Sequence, residues 1–344
     1  PYMIMASYIS STMWMILPFC TEEFTITMVM TLSSAGLCFA DVMADSLLVE
    51  AVRTEKATDK GTLQSWSWIS RFSGGLVASV LGSIAYDRVG HNGVFWLNSM
   101  VPVAIACIAC LISEQRDITS SNHNVQKTVK LLTKAIRQPG INRPAMFIFL
   151  ICVTPGYGGA MTFFYERELK FSPNEFGMLD VMGHVVSIVG IYIYKKWLRN
   201  VTFQRIFATA LIISFLLENT LLLLVFHINR TMGIPDFVFA VIERVVITLV
   251  GQFVSMPMVV LGAQLCPIGV EGSLYALLMS ITNIGGVVSE EWGSLLTSMF
   301  GITGTNFVNL WKLILLCNAF DLLPMMGLGL LKTANGRENE REEN

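Results

Sequence analysis

Residues 61–85, GTLQSWSWISRFSGGLVASVLGSIA, align without gaps with residues 272–296, GSLYALLMSITNIGGVVSEEWGSLL, at an offset of 211. Gly61, Leu63, Gly74, Gly75, Gly82 and Ser83 are identical to Gly272, Leu274, Gly285, Gly286, Gly293 and Ser294. Each stretch has the length of one spanning helix, which needs about 20 mostly apolar residues. The glycine pairs sit at the same register, where small residues let a second helix approach. Both copies run away from a Lys/Arg-flanked side, so the chain reads as two parallel halves related by an axis along the membrane normal.

The remaining sequence agrees. Of 344 residues 53% are hydrophobic and 14% charged, with mean hydropathy +0.59, against roughly 25% charged in ordinary globular chains. A soluble fold cannot hide that much apolar surface. Twenty-three Lys+Arg and 25 Asp+Glu give a net charge of -2, which lacks the basic field that binding to nucleic acid requires; no nucleic-acid partner is expected.

Ten apolar runs of spanning length occur at about 2–20, 24–49, 61–86, 93–112, 144–164, 176–197, 203–226, 237–262, 272–299 and 306–331. The expected fold class is an all-α membrane protein of about ten transmembrane helices in two parallel halves. Its expected divisions are a four-helix half-bundle at 1–112, a linker at 113–143, a six-helix half-bundle at 144–331 and a disordered tail at 332–344. If each half has six spans, the first lacks its first two, and a start at Pro1 without an initiator Met points to an N-terminal truncation. No cleavable signal peptide is recognisable.

Lys and Arg set the orientation. If the loop at 50–60 is cytoplasmic, that side carries 16 of the 23, the opposite loops hold Arg88, Arg167, Lys170 and Arg230, and Arg71, Arg244 and Lys312 lie within spans. The sequon Asn229-Arg230-Thr231 then falls outside and is open to glycosylation, whereas Asn200-Val201-Thr202 falls inside. Val125 to Arg137 (VQKTVKLLTKAIR) alternates basic and apolar residues at helical spacing, as an amphipathic helix along the inner membrane surface does; a calmodulin-like partner is the alternative. The seven cysteines are scattered through apolar runs. The one CxxC, Cys107 with Cys110, has no further ligands nearby, so neither a disulfide framework nor a metal or other cofactor is implied.

Charge inside a span is costly and faces a partner or a wet cavity. Asp41 and Asp45 are spaced i, i+4 and share one helix face. At ~1.5 Å per residue they stand ~18 and ~12 Å above Arg53, and Arg71 stands ~15 Å from Gly61. Helices joined by a short loop pack together, which predicts an ion pair of Arg71 with Asp41 or Asp45. Gln64, Ser67, Trp68, Arg71, Gly74 and Gly75 share one stripe, a polar and aromatic cavity wall; a purely structural ion pair is the competing reading. Further polar groups within spans are Glu243, Arg244, Asn283, Glu290, Glu291, His184, Glu218, Lys312 and Asp321. Glu243 and Arg244 point about 100° apart and so find separate partners. His184 reads as a packing residue. Glu290 and Glu291 follow a Gly-Gly pair, and one of them is a candidate to titrate with substrate. Pro155-Gly156-Tyr157-Gly158-Gly159 must interrupt its span, and broken helices expose backbone where solutes bind; Tyr157 and Phe164 are candidates to stack on a flat ring, with a bare kink as the alternative.

Three stretches carry a family resemblance: ADVMADSLLVEAVRTE at 40–55 leading into GTLQSWSW at 61–68, TPGYGGAMTFFYERELKFSPNEFG at 154–177, and LCPIGVEGSLYALLMSITNIGG at 265–286 with Pro267, Glu271, Gly272, Ser280 and Asn283. They resemble the folate-biopterin transporter family, a branch of the major facilitator superfamily. The resemblance implies that pteridines and folates cross a membrane by alternating access, often driven by protons. The partners it implies are a pterin or folate, protons and the lipid bilayer; no enzyme activity is expected. A pterin offers an N3–H beside a 2-amino group, which Asp41 or Asp45 can accept as two parallel hydrogen bonds, and its flat face suits Trp68, Phe72 or Tyr157. Arg71 is a two-pronged donor for the glutamate carboxylates of folate. The candidate substrate-binding or proton-coupling residues are Asp41, Asp45, Gln64, Trp68, Arg71, Tyr157, Asn283 and Glu290. Competing readings are transport of a sugar or nucleoside, a non-transporting receptor or scaffold, and a prenyltransferase binding diphosphate-magnesium at Asp41-xxx-Asp45. The last lacks a second Asp-xxx-Asp within a span.

Overall fold

A computed structural model of the chain describes residues 2–52, 61–111, 125–199, 201–266 and 271–331; the loop at 53–60, the first part of the linker up to 124, residues 267–270 with Pro267, and the tail fall outside the described residues. With no water in the bilayer core, each spanning segment satisfies its own backbone by coiling. The helices are α1 (Tyr2–Ile16), α2 (Glu23–Val52), α3 (Thr62–Ala109), α4 (Val125–Ile136), α5 (Pro139–Cys152), α6 (Gly158–Phe163), α7 (Pro173–Ile193), α8 (Phe203–Glu218), α9 (Leu221–Val225), α10 (Ile228–Thr231), α11 (Asp236–Leu265), α12 (Glu271–Met299) and α13 (Leu310–Phe320). Among the described residues, seven helical stretches are long and apolar enough to cross a membrane, and the chain is a multi-pass membrane protein. Its surface agrees: Tyr8, Phe24, Leu81 and Met100 are large apolar side chains left exposed, as a lipid solvent allows.

Several expected boundaries shift for identifiable reasons. The loop expected between 86 and 93 shrinks to one non-helical residue inside α3, Gly90, at φ 65° and ψ -174°, a conformation that glycine adopts without a Cβ clash. The run at 306–331 continues past α13 as a 3₁₀ segment, Leu323–Leu331, because Pro324 has no N–H for an α-helical bond. α4 forms as expected, but Ala135 is buried and Leu132 and Ile136 pack against the core. Its apolar stripe therefore meets the bundle rather than lipid alone. Asn229 is fully buried, and its Nδ2 donates to the Ile234 carbonyl at 3.0 Å and to Asp236 Oδ1 at 2.7 Å. The atom that would carry a glycan is occupied, so the expectation of an open sequon fails.

Apolar surface gains little from packing against apolar lipid, so spanning helices are joined by close approach and hydrogen bonds. Ser10 and Ser33 join α1 to α2 through hydroxyls 3.1 Å apart, and Ser11 joins α1 to α3 by donating to the Ser99 carbonyl at 3.0 Å. Two apolar cores fill the other helices. One, toward the Lys/Arg-rich end, includes Phe147 edge-on to Phe207 at 5.1 Å, with Tyr194 and Tyr275. The other, toward the opposite end, gathers Phe164, Phe171, Leu224 and Leu310.

The first helices meet the later ones along α3 with α7 and α2 with α12. A Cβ on Gly75 would stand 2.6 Å from His184 Cε1, one on Gly272 2.9 Å from Ser46 Cβ, and one on Gly61 3.2 Å from Val260 Cγ2. The Lys195 ammonium sits 4.7 Å over the Trp66 ring. These contacts lie from mid-span to the Lys/Arg-rich end, whereas further along α3 Gly82 and Gly90 have nothing within 4 Å. The close contacts between the two groups thus gather in the Lys/Arg-rich half of the span.

The repeat recurs as helix but not as contact: Gly75 holds His184, while its counterpart Gly286 has nothing within 4 Å. On the same helix a Cβ at Gly293 would overlap the Gly156 carbonyl. Gly293→Ala is therefore expected to lower the midpoint of thermal unfolding in detergent by the equivalent of about 1–3 kcal/mol, and Gly286→Ala to leave it level or raise it. Equal midpoints for the two variants would contradict this packing.

Candidate functional site

α2 carries Asp41 and Asp45 one turn apart, and α3 returns beside it with Arg71. The single nitrogen Arg71 Nη2 lies 2.8 Å from Asp41 Oδ1 and 2.8 Å from Asp45 Oδ1. The side chains are unequally covered: Asp41 is 50% exposed, Arg71 37% and Asp45 15%. Asp45 is the anchor and Asp41 the open end. The cluster sums to one negative charge.

The Arg71 guanidinium lies 5.4 Å over the Trp68 ring, and Trp68, Phe72 and His184 follow one another at centroid spacings of 6.0 Å. Since His184 belongs to α7, this aromatic run bridges α3 to the second group of helices. Tyr275 of α12 lies close enough to act electrostatically on Asp45 and Arg71, and its hydroxyl neighbours the Gln64 amide. Gln64 itself is fully buried. Five of the eight candidate residues, Asp41, Asp45, Gln64, Trp68 and Arg71, are thus brought together where α2 and α3 meet the later helices. Sequence reasoning missed Tyr275, whose position depends on how α12 crosses α2.

The other three candidates lie elsewhere. Pro155 to Gly159 breaks its span as expected, with α5 ending at Cys152 and α6 beginning at Gly158. The freed Gly156 N–H donates to the Ser289 carbonyl of α12 at 3.3 Å. Tyr157 turns away from the Arg71 cluster toward Glu218, Glu243 and Asp321. Within that acidic group the Glu218 and Asp321 carboxyls are in hydrogen-bond contact, and the Thr154 hydroxyl lies against Asp321. Glu290 lines a cavity of about 650 Å³ with Gly156, Gly158, Ser294, Thr303 and Phe307. Asn283 is exposed on α12. Glu243 and Arg244 separate as expected, Glu243 toward the tyrosines and Arg244 toward Asp180 of α7.

A diphosphate-magnesium site does not fit. Arg71 holds the position between the carboxylates that a divalent ion would occupy, and among the described residues no group of three His, Cys, Asp or Glu is arranged for a metal.

The fold is that of the major facilitator superfamily. A solved major facilitator superfamily transporter, FucP in the outward conformation, superimposes with TM-score 0.63 at 14% identity, over 95% of this chain and 81% of that one. A bacterial homologue of the iron transporter ferroportin gives 0.59 at 14%, over 97% and 84%. All 344 residues match the BT1 family, and the chain belongs to it. Relatives include the folate-biopterin transporter of Synechocystis sp., 35% identical over 92% of this chain and 64% of that protein, and folate transporter 1 of Plasmodium falciparum, 26% identical over 90% and 61%. The chain thus spans less than two thirds of the length of these two relatives.

Breaking the Arg71 cluster from its covered side costs more than from its open side. Asp45→Asn is expected to destabilise the detergent-solubilised protein by about 1–3 kcal/mol, below the 3–5 kcal/mol of a fully buried pair because water reaches the site. Asp41→Asn is expected to cost less than ~1 kcal/mol. A larger loss for Asp41→Asn in thermal melts would reverse the assignment of anchor and open end.

Proposed function

We propose that the protein is a secondary active transporter that moves folate, biopterin or related pteridines across a membrane by alternating access, with proton coupling. The observation that carries this reading is Arg71 clasped by Asp41 and Asp45 halfway along a spanning helix pair; in this reading the cluster is the floor of a crevice between the two groups of helices, closed where their glycines meet. The half-exposed Asp41 carboxylate accepts the pterin N3–H and 2-amino group in parallel, with the charge-assisted strength of such pairs. Trp68 and Phe72 offer ring faces for the flat heterocycle. The cluster's excess negative charge suits a donor-rich ring, and it falls to zero when one carboxylate takes a proton, which links solute and proton at one place.

Alternation follows from the contacts that close the crevice. Gly75 with His184 and Gly272 with Ser46 are close approaches without covalent or ionic locks, so the two groups can separate there and come together at the opposite end. The names of the relatives support a pteridine solute, and the Lys/Arg bias places the closed end in the cytoplasm.

Uptake of labelled folic acid into vesicles holding the full protein tests this. Unlabelled folic acid and biopterin are expected to compete and glucose is not. Arg71→Gln is expected to lower uptake by about a hundredfold, as loss of a charged contact within the site does, while the amount of protein in the membrane changes far less. Equal losses of uptake and protein would make the cluster structural, and competition by glucose alone would move the solute to the sugars.

A further inference from the structure

The Arg71 cluster has a charge balance unsuited to one part of the proposed solute. Two carboxylates already stand 2.8 Å from its guanidinium, so a folate glutamate would be a third anion on one cation. A second guanidinium is differently placed. Arg244 Nη2 lies 3.8 Å from Asp180 Oδ1, beyond hydrogen-bond length, with the side chains 51% and 61% exposed. Its partner therefore neutralises its charge without using its five N–H donors.

Arg244 and Asp180 both lie within spanning stretches, and charges there avoid acyl chains. Their neighbours place them beside the line along which α7 meets α3. A Cβ on Gly183 would stand 3.2 Å from Arg244 Nε, and the next residue, His184, closes against Gly75 of α3. Gly61 is level with Val260; counting from that level at ~1.5 Å per residue, Arg71 stands ~15 Å and Arg244 ~24 Å up. By residue count the two arginines differ in level by ~9 Å along the normal, on helices α3 and α11 that both pack against α7. An extended folate, with its aminobenzoyl spacer, bridges such an offset; biopterin, with its short side chain, does not. Glu243, the other charge on this stretch of α11, acts electrostatically on Arg244 as well as on Tyr157 and Tyr165, but among the described residues the carboxylate that pairs with Arg244 is that of Asp180, at 3.8 Å.

We propose that Arg244, loosely held by Asp180, is a second binding station that takes the glutamate carboxylate of folate-type solutes while Asp41, Asp45 and Arg71 hold the pterin end. Asp180 keeps the place of that carboxylate, so arrival of the solute exchanges one anion for another on the same cation. This rests on the pteridine-transport reading above.

The test is uptake of folic acid and of biopterin by vesicles containing the full protein, each as a concentration series. Arg244→Gln is expected to raise the folate KM by about tenfold or more, the size of one lost charge-assisted hydrogen bond, and to raise the biopterin KM far less. Arg244→Lys restores part of the folate affinity, because it returns the charge without the planar fork. Asp180→Asn removes the competing anion and lowers the folate KM, which keeps the proposal open to refutation even where Arg244→Gln fails to reach the membrane. Equal changes for both solutes, or none, would overturn it. A wild-type protein that takes up biopterin but not folate overturns it while leaving pteridine transport standing, and one that takes up neither removes both.

Discussion

A guanidinium midway along a spanning helix cannot rest against acyl chains, and this constraint organises the fold around Arg71. The cation requires anions within reach, which fixes α2 beside α3 with Asp41 and Asp45 at the matching height. Those anions together outweigh it, so the cluster keeps a charge that must be hydrated or met by a solute. In the proposed transporter a hydrated crevice between the two groups of helices meets that charge, while Trp68, Ile69 and Phe72 around Arg71 pack against one of the two apolar cores.

How the crevice closes depends on atoms that are absent. Gly61, Gly75 and Gly272 each admit a neighbour where a methyl group would collide or crowd, and close backbone approach is the main source of helix association in lipid. Contacts of this kind hold by shape alone, so they separate without leaving a buried charge or an unpaired donor behind. By contrast Ser10 with Ser33 and Ser11 with Ser99 join helices of the same group by hydrogen bonds. Between the groups the contacts are thus mainly of shape, with the Lys195 ammonium over the Trp66 ring beside them.

Much of this was legible in the sequence where the signal is local. Spanning length and Lys/Arg bias do not depend on tertiary detail, and Asp41 with Asp45 follows from i, i+4 spacing and a short connection to Arg71. The break at Pro155 to Gly159 follows from missing N–H groups. What the sequence could not show was which distant helices cross. Tyr275 beside Asp45, Asp180 beside Arg244 and the contact of Glu218 with Asp321 each join residues far apart in the chain, and none leaves a periodic trace. Asn229 matched a tripeptide rule whose premise, an accessible amide, was removed by Asp236 seven residues later. Residues 87–93, DRVGHNG, read as a loop, and the helix junction falls among them, shortened because Gly90 alone turns the chain in a glycine-only conformation.

The repeat itself carries the last step. At the offset that aligns the glycines, Asp41 corresponds to Gln252, Asp45 to Met256, Arg71 to Thr282 and Arg244 to Ser33. The packing residues recur and the charges do not. Gln252, at the place of Asp41, is spent on Ser187 of α7 at 3.2 Å, a neutral tie between helices. A site built from two equal halves would meet a solute the same way from either end. Here one half carries two carboxylates around an arginine and the other a loosely paired arginine, so under the two-station proposal a solute with a donor-rich ring at one end and an anion at the other has one favoured orientation. In the proposed transport cycle, shared scaffold with unshared charge would let the halves move as equivalents while the solute between them is read directionally.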